Sequence, residues 1–158
     1  MSKFKVTDFY YGAVLSMLIN RGITPALVES NNDRQVYDFS TDNDDFRLFI
    51  KYRAQGRISK NGDYRSWQFV FTAEDISKIS EYLGKNRNLL LALVCGAEKL
   101  DESELAVIQP EEIQRCFECG KTSLTISRIK REKAFRISIG GGRSNSIKIP
   151  CNRLIGER

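Results

Sequence analysis

Asn88-Leu-Leu-Leu-Ala-Leu-Val-Cys95 is the stretch on which the fold turns. It has no alternation of apolar and polar residues, and it is bounded by turn formers. A continuous apolar run of this length suits a central strand covered on both faces. Such a strand needs layers above and below it, so the flanking sequence must supply them.

Before it, Thr72 is positioned to cap a helix, with Asp75 three residues later as an imperfect capping box. Ile76, Ile79 and Leu83 give that helix one apolar stripe, and Gly84 ends it. Upstream again, Gln35–Ser40 and Phe46–Arg53 alternate on either side of the turn Thr41-Asp-Asn-Asp-Asp45, a hairpin signature. In the second hairpin strand Phe46, Leu48, Ile50 and Tyr52 share a face read as core. Arg47, Phe49, Lys51 and Arg53 share the other, read as basic. Residues 25–29 form a short strand before a Ser-Asn-Asn-Asp turn. Thr7 or Asp8 caps a first helix with Tyr10, Val14, Met17 and Leu18 at helical spacing, stopped by Gly22. Gln55–Ser66 reads as a polar loop, followed by a strand bearing Trp67, Phe69 and Phe71.

After the apolar run, Leu105–Gln109 is a strand and Pro110 opens a third helix that ends near Phe117. Beyond it the chain is strand and turn. Leu124 and Ile126, then Phe135, Ile137 and Ile139, then Ile147 and Ile149 alternate with polar residues. The expected architecture is α+β, a single domain over 1–158. A mixed central sheet flanked by helices occupies 1–118, with a helix, three strands, helix, strand core. A basic, antiparallel β appendage occupies 119–158, joined near 118–122.

The formal charge of +5 is unevenly placed. Residues 121–158 hold ten Lys and Arg against two Asp and Glu, and the 120 before them hold fifteen against eighteen. A concentrated positive field attracts polyanions, nucleic acid foremost. The residues expected to contact phosphate are Lys51 and Arg53 on the hairpin strand and Arg57, Lys60 and Arg65 in the polar loop. In the tail they are Arg128, Lys130, Arg131, Lys133, Arg136, Arg143 and Lys148. Ile139-Gly-Gly-Gly-Arg143-Ser-Asn-Ser146 adds bare backbone amides able to form an anion nest. It lacks the Gly-Lys-Ser/Thr ending and following helix of a P-loop.

Histidine is absent. That removes imidazole general bases, Ser-His-Asp and Cys-His nucleophile pairs, and His-ligated zinc. No run approaches the roughly 20 apolar residues of a membrane span, and the N-terminus lacks the apolar core of a signal peptide, so a cytoplasmic protein with reduced thiols is expected. Cys116-Phe-Glu-Cys119 has half the spacing of a zinc knuckle. Its remaining ligands would have to come from Cys95, Cys151 or carboxylates.

The order helix, three strands, helix, strand over about residues 8–95, with Asp38 and the triplet Phe49-Ile50-Lys51, resembles the core of the PD-(D/E)xK nuclease superfamily. The resemblance implies a magnesium-dependent nuclease in which Asp38 is the first metal ligand and Lys51 positions or activates the attacking water. The family's second acid falls at position 49, where a phenyl ring offers no oxygen ligand. Glu29 and Asp45 are the nearby acids that remain. The leading expectation is a nucleic-acid binder that makes phosphate-backbone contacts through its basic C-terminal β-element, without committed catalysis or cofactor. The alternatives are a divergent magnesium nuclease, a module holding a nucleotide or other phosphorylated small ligand, and a protein-interaction adaptor.

Overall fold

A computed structural model describes residues 2–85, 88–118, 120–139 and 145–156. Two five-stranded sheets and three helices form its layers. The central strand read from the apolar run is β6 (Leu89–Cys95), and all seven of its residues are buried. It runs parallel to β3 (Asp45–Arg53), in register from Arg47 opposite Leu89 to Arg53 opposite Cys95. With β1 (Ala26–Ser30), β2 (Gln35–Ser40) and β7 (Glu104–Ile108) it makes a mixed sheet in the order β1-β2-β3-β6-β7.

The period of two in a strand sends alternate residues of β6 into different cores. Leu90, Ala92 and Val94 join Leu48, Ile50 and Phe39 beneath helix α1 (Val6–Asn20), which contributes Tyr10, Tyr11, Val14 and Leu18. Leu89, Leu91, Leu93 and Cys95 face the other way. There they meet Phe49 of β3, Ile79 of α2 (Ala73–Gly84), Ile113 of α3 (Pro110–Phe117) and the inner face of the second sheet.

That second sheet has the order β10-β9-β8-β5-β4 and is antiparallel throughout. The basic tail supplies β8 (Ser123–Ile129), β9 (Ala134–Ser138) and β10 (Ile147–Pro150). The expected antiparallel C-terminal region is present, but it does not stand apart. β8 pairs along its whole length with β5 (Tyr64–Val70), and β4 (Arg57–Ile58) completes the edge. So the segment expected as a polar loop over 55–66 contains a strand and the start of another. The alternating Trp67, Phe69, Leu124, Ile126, Phe135, Ile137, Ile147 and Ile149 are what bury this sheet against the first.

Two local readings shift. Helix α1 starts at Val6 with Lys5 as its cap, so Asp8 lies inside the first turn, its carboxylate accepting from the Lys5 amide at 2.7 Å. Met17 is exposed, while Tyr10, Val14 and Leu18 are buried. The hairpin face read as basic is also covered: Phe49 is fully buried and Lys51 nearly so. The reason is the second sheet and α2, whose contact with this face has no signature within β3 itself.

Candidate functional site

Lys51, nearly buried, belongs to a charge cluster that ties β3 to the start of α2. Its Nζ donates to Asp75 Oδ2 at 2.7 Å and to the Asp33 carbonyl at 2.9 Å. The other Asp75 oxygen accepts from Arg34 at 2.8 Å, and Arg34 also reaches Glu29 and Glu74, each at 2.8 Å. Arg34 and Asp75 are both 0% exposed. Asp75 is placed by the capping box of α2: its amide donates to Thr72 Oγ1 at 3.0 Å and its Oδ2 accepts from the Thr72 amide at 2.9 Å. Burial works to raise the Asp75 pKa. Hydrogen bonds from Lys51 and the Thr72 amide, with the charges of Lys51 and the Arg34 contact, overcome it and hold the carboxyl below its ordinary value.

Asp38 lies on the same sheet face but elsewhere. It pairs in bidentate fashion with Arg47, at 2.7 and 2.8 Å, and Arg47 in turn covers the Tyr82 ring. Lys51 is four residues further along β3 from Arg47, about 13 Å at the usual strand rise. Phe49 lies between them, in the core between the sheets. Glu29 is engaged by Arg34, and Asp45 accepts from Ser40 at the hairpin turn. The expected pair Asp38 and Lys51 is therefore not brought together. Among the described residues no group of three or more acids or cysteines is arranged to hold a metal ion.

The predicted phosphate contacts converge better. β3 and β6 are parallel, and past their carboxyl ends the chain diverges, β3 into the second sheet and β6 toward β7. A cleft of about 900 Å3 opens there. Its floor demands glycine twice. A Cβ on Gly56 would stand 2.2 Å from the Ser66 carbonyl oxygen, and one on Gly96 2.3 Å from that of Ala54. The Trp67 indole donates to the Gly96 carbonyl at 2.8 Å and fixes the wall.

Arg57, Arg65, Arg128 and Lys130 of the predicted set line this cleft. Lys99, which the sequence reading missed, joins them from the β6–β7 connection, together with Glu98, Glu102 and Glu104. Register brings the cations together. Arg65 stands directly opposite Arg128, and the Lys130 amide donates to the Asp63 carbonyl at 2.8 Å, tying the β8–β9 turn to the β4–β5 turn. Lys60, Arg131 and Lys133 are exposed on these two turns.

The remaining predicted residues lie elsewhere. Arg136 and Lys148 are neighbours on the outer face of the second sheet, and both pair with Glu132. Arg53 borders a smaller hollow of about 510 Å3 beside Lys51, with Tyr11 and Asn32. Cys116 and Cys95 are buried in the core between the sheets, where burial pushes the Cys95 thiol pKa well up. Cys119 and Arg143, and with them the centre of the glycine-rich loop, lie outside the described residues. No helix among the described residues is long and apolar enough to cross a membrane. No protein-family model, curated protein or solved structure matches this chain.

Proposed function

We propose that the protein binds nucleic acid through its phosphate backbone, along the basic cleft and the two exposed turns at its rim. One observation carries this reading. Two cation-bearing segments more than 60 residues apart in sequence, Arg57–Arg65 and Arg128–Lys133, meet at one end of the second sheet, where their two turns are joined. Contacts of this kind position a backbone and are insensitive to base sequence. Catalysis is not part of the proposal, since Asp38 and Lys51 are engaged in separate ion pairs. A cytoplasmic setting accords with Cys95 and Cys151 being free thiols.

The test is fluorescence anisotropy with labelled duplex and single-stranded DNA and RNA across a salt series. Affinity that falls steeply with salt, and that weakens when Lys130, Arg131 and Lys133 are replaced together by Ala, supports the proposal. Absent or salt-independent binding to all four probes sinks it. A second reading, a pocket for a phosphorylated small molecule, is favoured by the cleft volume, which falls in the range of about 300–1,000 Å3 typical of ligand sites. Stabilisation by mono- or dinucleotides in a thermal-shift series, with no response to polymer, selects it.

A further inference from the structure

Two like charges placed directly opposite each other on adjacent strands destabilise a sheet. Arg65 and Arg128 are such a pair. What resolves the conflict is Glu104, reaching across from β7 of the other sheet. One of its oxygens accepts from Arg65 at 2.7 Å and the other from Arg128 at 3.3 Å. A single carboxylate thus bridges two guanidinium groups at the wall of the cleft.

The two arginines are held by more than this carboxylate. Arg128 Nη1 donates to the carbonyl oxygens of Ile129 and Glu132, and its guanidinium lies over the Phe135 ring. The Arg65 guanidinium covers the indole of Trp67, 5.3 Å from the ring centroid. Glu104 stands on an edge strand and its side chain is 25% exposed. Arg128 is therefore pre-organised without Glu104 and Arg65 rests on the Trp67 ring, while the carboxylate between them, a quarter exposed, has solvent to move into. Carboxylate and phosphate oxygens use the same guanidinium geometry.

We infer that the Arg65–Arg128 pair is a phosphate-binding subsite, and that Glu104 fills it as an internal substitute until a phosphate group displaces it. The inference rests on the polyanion reading of the cleft and specifies where in it one phosphate is gripped. The shared chemistry is a phosphate group, carried by a polymer or by a small molecule.

Trp67 is the sole tryptophan of the chain, so its emission reports directly on Arg65. Inorganic pyrophosphate titrated into the wild-type protein is expected to change that emission saturably. Glu104→Gln removes the competing charge and shifts the titration to about tenfold lower pyrophosphate, the equivalent of one modest charge interaction. Arg65→Gln abolishes the response. The same variants are then titrated with a labelled duplex and a labelled single strand. Tighter binding of Glu104→Gln to both pyrophosphate and polymer supports the subsite with a polymer as its source. A tighter response to pyrophosphate alone, with no polymer binding in any variant, keeps the subsite and overturns the nucleic-acid proposal. If polymer binds the wild type but Glu104→Gln tightens neither probe, the nucleic-acid proposal stands and the subsite is overturned. Silence toward every probe in both proteins overturns both. Should Glu104→Gln melt more than about 10 °C below wild type, the wild-type and Arg65→Gln pyrophosphate titrations decide. A response kept by Arg65→Gln, or missing from wild type, refutes the subsite.

Discussion

Asp75→Ala is the perturbation whose cost is best defined. The carboxylate it removes is fully buried and accepts from Lys51, Arg34 and the Thr72 amide. Arg34 keeps Glu29 and Glu74 after the change, so its guanidinium remains paired. Lys51 keeps the Asp33 carbonyl and the face of the Phe71 ring, 5.4 Å from its centroid, but the nearly buried ammonium loses the carboxylate it pairs with. Breaking a buried pair on one side costs about 3–5 kcal/mol. Part of the helix-cap contribution, about 1 kcal/mol in full, is lost with it. A total near 4 kcal/mol, at about 2–4 °C per kcal/mol for a chain of this size, lowers Tm by about 8–16 °C. Thermal melts followed by circular dichroism, with urea titrations at unchanged m, measure it. The pH dependence is a second readout. The native Asp75 pKa lies below the unfolded value of about 3.9, so the unfolded state binds the proton more readily. The cluster's stabilisation is present above that pH and is lost as pH falls through the lower native value, and Asp75→Ala flattens this acid limb. A Tm within about 2 °C of wild type refutes the idea that the cluster fastens α2 to the first sheet.

Five exposed cations on the two turns and the cleft rim, Arg57, Lys60, Lys130, Arg131 and Lys133, give a slope of log affinity against log salt near −4.5 on duplex DNA, at about −0.9 per neutralised phosphate. Between 50 and 200 mM salt that is a loss of roughly 500-fold, and replacing the three turn residues by Ala reduces it to about tenfold; equal slopes in the two proteins would contradict the placement. Phe49→Glu restores the acid that the family motif wants, but in a wholly apolar core, so it is expected to cost more than about 4 kcal/mol rather than to create a magnesium site; soluble, wild-type-like melting with magnesium-dependent stabilisation would overturn this. Gly96→Ala drives a methyl against the Ala54 carbonyl, which cannot move without breaking the bond from the Gly96 amide to Arg53. A loss of about 2 kcal/mol or more is expected in urea unfolding, and a neutral result would mean that the cleft floor is adaptable.

The elements announced themselves where periodicity is local. The unbroken apolar run of 89–95, the hairpin over 35–53 and the capping box at Thr72 all appear where their residue types place them. The pairing of β5 with β8 is not of that kind. Val70 and Ser123 are partners across more than 50 residues, and nothing in either strand selects the other over a different apolar face. The tail therefore read as an appendage, and the covering of Phe49 and Lys51 went unseen. Charges follow the same division. Cations in the turns were legible because turns are exposed. Arg34 was not, because the polar run Ser-Asn-Asn-Asp before it looks like solvated loop, yet its guanidinium is fully buried among three acids. Glu104 carried no signal at all, since its meaning depends on two arginines that belong to another sheet.

The fate of Lys51 separates scaffold from site in this molecule. A lysine that activates water works beside the metal ligands, within reach of the water they hold. This one has its ammonium fixed between a buried carboxylate and a backbone carbonyl, and among the described residues no buried side-chain polar atom near it or elsewhere is left unpaired. A network with every partner supplied is rigid, and it specifies one packing of α2 on β3. The cations of the cleft and its rim are in the opposite condition. They sit on the two turns and at the adjoining ends of β4, β5 and β8, and Glu104 is divided between two of them. On the proposed reading, the charge that Glu104 answers only by division is what a phosphate meets, and it lies at one end of the second sheet rather than on the strand where the motif pointed.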